Sequence, residues 1–150
     1  MPEHKIIVEI DIEAPPQRVF DAWTDPAQLA AWWGDDEFYH TREWTCDVRP
    51  GGRWHCAGSG GGKMAGEFEV GGEYTVVEPP HRLGFTWKPT WDSGVVTDVL
   101  IELTPAGAGT HLRLTHTGFA TVESREGTNE GWNRVFAWLD RFVSSPRTPR

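Results

Sequence analysis

Residues 124–143 read SREGTNEGWNRVFAWLDRFV, with apolar side chains at Trp132, Val135, Phe136, Leu139, Phe142 and Val143. These fall at i, i+3, i+4, i+7, i+10 and i+11, one stripe down an α-helix. No other stretch keeps helical periodicity over that length. Most of the preceding chain alternates as strands do, and a sheet with one apolar face needs a cover. The pattern predicts an α+β fold, a curved antiparallel sheet of about seven strands around a long C-terminal helix. Function then belongs in the space between them.

The strands follow from alternation. Residues 5–13 (KIIVEIDIE) place Ile6, Val8, Ile10 and Ile12 on one face and Glu9, Asp11 and Glu13 on the other. Two short helices follow, one opened by Pro15-Pro16 and carrying Val19, Phe20 and Trp23. The other is capped by Thr24 or Asp25, starts at Pro26 and carries Leu29, Trp32 and Trp33. Residues 35–42 read as a polar loop with Phe38 and Tyr39. Trp44, Cys46 and Val48 make a strand that turns at Arg49-Pro50-Gly51-Gly52 and returns over residues 53–57. Gly58 to Gly62 reads as a turn. A long strand over 64–78 is expected to bulge or bend at Gly71-Gly72. Leu83, Phe85 and Trp87 make the next strand, and a loop over 89–94 holds Trp91. Val95 to Leu103 and Leu112 to His116 supply the last two strands. Thr121 can cap the long helix. Residues 1–143 form one domain and 144–150 (SSPRTPR) a flexible tail.

With 14 Lys+Arg against 22 Asp+Glu, the net charge of -8 disfavours nucleic acid and anionic lipid as partners. There is no apolar run long enough for a membrane span. The start, MPEHKIIVEI, lacks the apolar core of a signal peptide. We expect a cytoplasmic protein in which Cys46 and Cys56 are free thiols. Nine Trp, seven Phe and two Tyr supply either a bulky core or a wall for an apolar ligand.

Each candidate site has a bland counterpart. Residues 57–63 (AGSGGGK) nearly spell a phosphate-binding loop, but Met64 replaces the Ser/Thr and a strand follows where a helix is needed, so we read a hairpin turn. Cys46, Cys56, His55 and His116 do not make a zinc set, because His55 and Cys56 point to opposite faces of one strand. No metal or cofactor is expected. His116 continues the inward parity of Leu112 and Leu114. It is either a core histidine bonded to Thr97 or a backbone carbonyl, or a polar tip that orients a ligand or moves a proton. Trp54, Phe68, Tyr74, Phe85 and Trp87 share the concave face with Trp132 and Phe136. Extended backwards from Trp132, the helix stripe meets Thr128 and Arg125, which marks a cavity mouth or an exposed first turn and a half. Trp138 and the Trp32-Trp33 pair are alternative anchors for a homodimer contact.

Several phrases, in order along nearly the whole chain, resemble the START-like, helix-grip superfamily. They are Ala14-Pro15 with Val19-Phe20, Trp23 and Thr24-Asp25-Pro26; Trp32-Trp33; Asp47-Val48-Arg49-Pro50-Gly51-Gly52; Gly72-Glu73-Tyr74 before Pro79-Pro80; Leu83 with Thr86-Trp87; Gly109-Thr110 with Leu112; His116 with Gly118-Phe119; and Gly131-Trp132. The match is to the group related to the C-terminal domain of activators of the heat-shock-protein-90 ATPase. The resemblance implies a cavity between sheet and long helix. Superfamily members bind lipids, hormones or polyketides, and some catalyse cyclisation or aromatisation. Three functions are therefore carried forward. The first is binding of a small apolar or aromatic ligand. The second is a cyclase- or hydrolase-type enzyme with His116 as acid or base. The third is a chaperone-associated interaction protein.

Overall fold

The computed structural model describes residues 5–60, 66–90, 96–119 and 121–144. The element order is β1 (Ile6–Ile12), α1 (Pro16–Thr24), α2 (Pro26–Trp32), β2 (Gly34–Asp35), β3 (Tyr39–Cys46), β4 (Arg53–Gly60), β5 (Gly66–Glu78), β6 (Arg82–Pro89), β7 (Thr97–Ala106), β8 (Gly109–Thr117) and α3 (Val122–Ser144). One eight-stranded sheet runs β1-β8-β7-β6-β5-β4-β3-β2, antiparallel at every step. The first strand thus lies beside the last, with Ile6 opposite His116 and Ile12 opposite Thr110. α3 packs across β1 and against α1 and α2. This is the helix-grip arrangement.

The strand beyond the expected seven is β2. The Asp35 carboxylate accepts the N–H groups of Glu37 and Phe38, both at 3.0 Å. That local ring closes a tight turn, so Gly34 comes opposite His40 and the expected loop becomes a short hairpin. β4 also runs past the expected turn, to Gly60. The Gly71-Gly72 pair does not interrupt β5, whose register irregularity lies between Tyr74 and Val76. Gly72 answers a close approach instead, because a Cβ there would strike the Thr86 backbone carbonyl. The expectations for Gly61 to Lys63, Trp91, Val95 and residues 145–150 of the tail lie outside the described residues, and Ser144, expected in the tail, ends α3.

Capping sets the helices. Asp25 ends α1 and starts α2, its carboxylate accepting the Ala27 N–H at 3.1 Å, with Pro26 following as a first-turn residue. Thr121 Oγ1 accepts the Ser124 N–H at 3.0 Å, so α3 begins at Val122. At its far end, Trp138 Nε1 donates to Asp35 Oδ2 at 2.9 Å and ties helix to β2. Burial opposes ionisation of Asp35, but the bonds from Trp138, Phe38 and Glu37 outweigh it and hold the carboxyl below its ordinary value.

The apolar stripe of α3 enters the core. Trp132, Val135, Phe136, Leu139 and Val143 are buried, each contributing about 1.5–3 kcal/mol of transfer free energy. Phe142 is half-buried under the Arg18 guanidinium. Trp138, Trp32 and Trp33, considered above as dimer anchors, are buried inside the chain itself. Their faces are spent on intramolecular packing.

Candidate functional site

Eight of the nine tryptophans lie among the described residues, and all eight are buried. Trp33 is their hub. Its ring centroid lies 5.7 Å from Trp23, 5.2 Å from Trp32, 5.3 Å from Trp44, 6.3 Å from Trp87 and 5.8 Å from Trp132. Trp33 and Trp87 stack with their planes 18° apart. This stacked pair divides the interior, for both indoles border two spaces of very different size.

On one side Trp54, Tyr74 and Phe85 join Trp23 and Trp44 around a residual gap of about 20 Å³. Trp54 donates Nε1 to the Thr86 carbonyl at 3.1 Å and packs edge-on to Phe85 at 5.3 Å. Tyr74 shares a hydrogen bond with Cys46. These side chains fill the space and leave room for about one water-sized object.

On the other side lies a cavity of about 650 Å³, within the size range of small-molecule sites. Its floor is Trp87, Cys56 and Val70 of the sheet, and Tyr39, Thr41 and Phe68 form a wall. Its roof is the N-terminal half of α3, from Glu123 to Val135, including Gly127, Thr128, Gly131 and Trp132. Gly127 and Gly131 matter because they lack side chains. A Cβ at Gly127 would meet nothing within 4 Å, and one at Gly131 only Arg134 Nη2 at 3.9 Å. Gly58 on β4 differs, answering a close contact, because a Cβ there would strike the Phe68 ring.

The residues singled out from sequence therefore separate into groups. Phe68, Trp87, Thr128 and Trp132 border the cavity, whereas Trp54, Tyr74 and Phe85 surround the filled side. Phe136 lies in the core, 6.4 Å from both Trp23 and Trp132. Arg125 turns away, its Nη1 donating to the Lys5 carbonyl at 3.4 Å.

Thr97 and His116 form a closed chain of bonds behind Trp87 and Trp132. Trp132 Nε1 donates to His116 Nδ1 at 2.9 Å, so the imidazole proton resides on Nε2. Nε2 then donates to Thr97 Oγ1 at 2.6 Å, and Thr97 donates to the Trp87 carbonyl at 3.3 Å. His116 is 0% exposed, and desolvation pushes its pKa down to about 3. Neutral, with both nitrogens occupied, it matches the core-histidine reading and offers no proton to the cavity. Phe119, Trp87 and Trp132 surround the ring.

The cavity has its own sparse polar set. Thr41 Oγ1 is saturated, donating to the Trp33 carbonyl at 2.8 Å and accepting from Trp44 Nε1 at 2.9 Å. The Tyr39 oxygen accepts from Trp33 Nε1 at 3.2 Å. Burial pushes the Tyr39 phenol up, with the Trp33 bond and the Arg134 charge offsetting part of the effect. Burial also pushes the Cys56 thiol up, so neither group is an activated nucleophile. Exposed Glu67 and Glu123 lie at the rim, and Arg134 sits with its guanidinium 4.2 Å from the Phe38 ring centre. Both cysteines are free, and no three His, Cys, Asp or Glu gather as a metal set among the described residues.

Sequence reading missed Trp33, Tyr39, Cys56 and Gly131 as wall residues. Trp33 reads as part of the α2 stripe, and Tyr39 lies where the chain has no periodicity to read. The glycines were detectable as the point where the α3 stripe runs out.

Solved structures with this architecture include protein CV1439 from Chromobacterium violaceum, with a TM-score of 0.84 and 25% identity over 97% of this chain and 100% of that one. Ms6760 from Mycobacterium smegmatis aligns with a TM-score of 0.82 and 22% identity, over 97% and 93%. CalU16 from Micromonospora echinospora aligns at 0.66 and 26%, over 94% and 76%. No curated protein matches the chain. The profile described as "Activator of Hsp90 ATPase homolog 1-like protein" matches residues 13–144. The chain belongs to that family.

Proposed function

We propose that this protein binds a small apolar or aromatic molecule in the chamber beneath the N-terminal half of α3. The observation that supports this reading is a space of about 650 Å³ in an interior that otherwise packs eight indoles. A core seeking only stability gains by filling such a void, since each unfilled methyl-sized gap costs about 1 kcal/mol. Flat aromatic walls with few polar groups suit an apolar ring system. The reading places the protein in the cytoplasm, in keeping with two free thiols.

A thermal-shift screen against lipids and aromatic metabolites tests it. A ligand at 100 times its Kd adds about 2.7 kcal/mol, or roughly 5–10 °C for a chain of this size. A library without a single stabiliser contradicts the proposal. Family membership supports a second reading, contact with a heat-shock chaperone. Its test is the chaperone's ATPase rate with and without this protein, and an unchanged rate counts against it.

A further inference from the structure

Resting on the binding reading above, we infer that the ligand carries an oxygen acceptor on its ring system, held by the Tyr39 hydroxyl: a planar aromatic ketone or a close chemical relative.

A tyrosine hydroxyl has one proton to give and lone pairs to receive. At Tyr39 the Trp33 indole N–H fills a lone pair at 3.2 Å. An indole N–H is donor only, so this contact leaves the phenolic proton uncommitted. No other hydrogen bond to the Tyr39 hydroxyl exists among the described residues. The neighbouring hydroxyl, Thr41, has both its roles taken. Tyr39 is further held by edge-on contacts with Phe68 at 5.0 Å and Trp138 at 5.5 Å. A fixed, half-buried donor on an apolar wall discriminates between ligands, because one without an acceptor covers it and leaves it unpaired. The hydroxyl stays protonated at neutral pH, since burial raises its pKa. The positive charge of Arg134, on the α3 side of the same cavity, favours electron-rich oxygen there.

The test uses 9-fluorenone and fluorene, two planar tricycles that differ in a carbonyl. Their affinities are measured by equilibrium dialysis with the wild type, Tyr39→Phe and, as a control away from the cavity, exposed Thr104→Val. The fluorenone-to-fluorene affinity ratio should fall about five- to tenfold in Tyr39→Phe and hold in Thr104→Val. An unchanged ratio in Tyr39→Phe overturns this inference and leaves the binding reading intact. If neither compound binds the wild type, this inference falls, while the binding reading is decided by the thermal-shift screen. Tyr39→Phe strands the Trp33 N–H at a cost in stability, so a wild-type measurement stands beside it. Difference infrared spectroscopy should show the bound carbonyl stretch moved to lower wavenumber, as in a hydrogen-bonding solvent. A stretch at its hydrocarbon-solvent position overturns the inference.

Discussion

Over residues 132–144, α3 buries Trp132, Val135, Phe136, Trp138, Leu139 and Val143, whereas over residues 122–131 the same helix buries no side chain. The second half is a core helix and derives its stability from packing. The first half carries two glycines where alanine would be about 1 kcal/mol better apiece. It is held by its Thr121 cap and by continuity with the packed half. The difference shows how one helix can be anchored at one end and serve as a thin roof at the other. Stability and space are separated along the chain, so they can be altered separately.

The largest expected effect lies in the packed half. Phe136→Ala should cost about 3–5 kcal/mol in denaturant unfolding, because its neighbours Trp23 and Trp132 are too rigid to close the gap. A cost below 1 kcal/mol breaks the contrast.

Acid probes the boundary between the halves. His116 is held neutral in the fold, with a pKa near 3 against an ordinary 6.5. Below pH 6.5 the unfolded chain takes up a proton that the native state refuses. Stability is therefore intact above 6.5 and declines by about 1.4 kcal/mol per pH unit as pH falls towards 3. His116→Gln should flatten that slope, whatever it does to stability at neutral pH. His111, five residues earlier on β8, behaves oppositely. It bridges Asp11 and Glu9 at 2.8 and 2.7 Å, and those bonds raise its pKa. Its contribution is present in acid and disappears as pH rises through the raised value, and exposure keeps it small. Measuring unfolding against pH in His111→Gln and His116→Gln separates the two signs.

The smallest effect is in the roof. Gly131→Ala should stabilise the protein by about 0.5–1 kcal/mol, read from the denaturation midpoint. A loss of stability there would mean that the glycine serves the backbone and not the cavity.

How much of this was legible beforehand depends on periodicity. The α3 stripe and the alternation of β1, β7 and β8 give the helix and most of the sheet, since each side chain's face follows from its place in the repeat. Alternation also placed His116 inside. It could not say whether the ring would meet a void or the Trp132 indole, because that depends on how far the helix stands from the sheet. The same limit applies to Trp54, Tyr74 and Phe85, which share a face with Trp87 but fill their end of it. Tyr39 was illegible for another reason. A turn closed by the Asp35 side chain leads into it, and no hydrophobic repeat encodes that turn.

The claim that matters most is that the chamber under Gly127 and Gly131 is vacant, and replacing both with leucine tests it directly. The account predicts that Gly127→Leu/Gly131→Leu unfolds at a denaturant concentration equal to or above the wild type, because the new side chains enter open space and favour helix. A drop in stability of about 1–3 kcal/mol per site, the ordinary cost of overpacking a filled core, contradicts it.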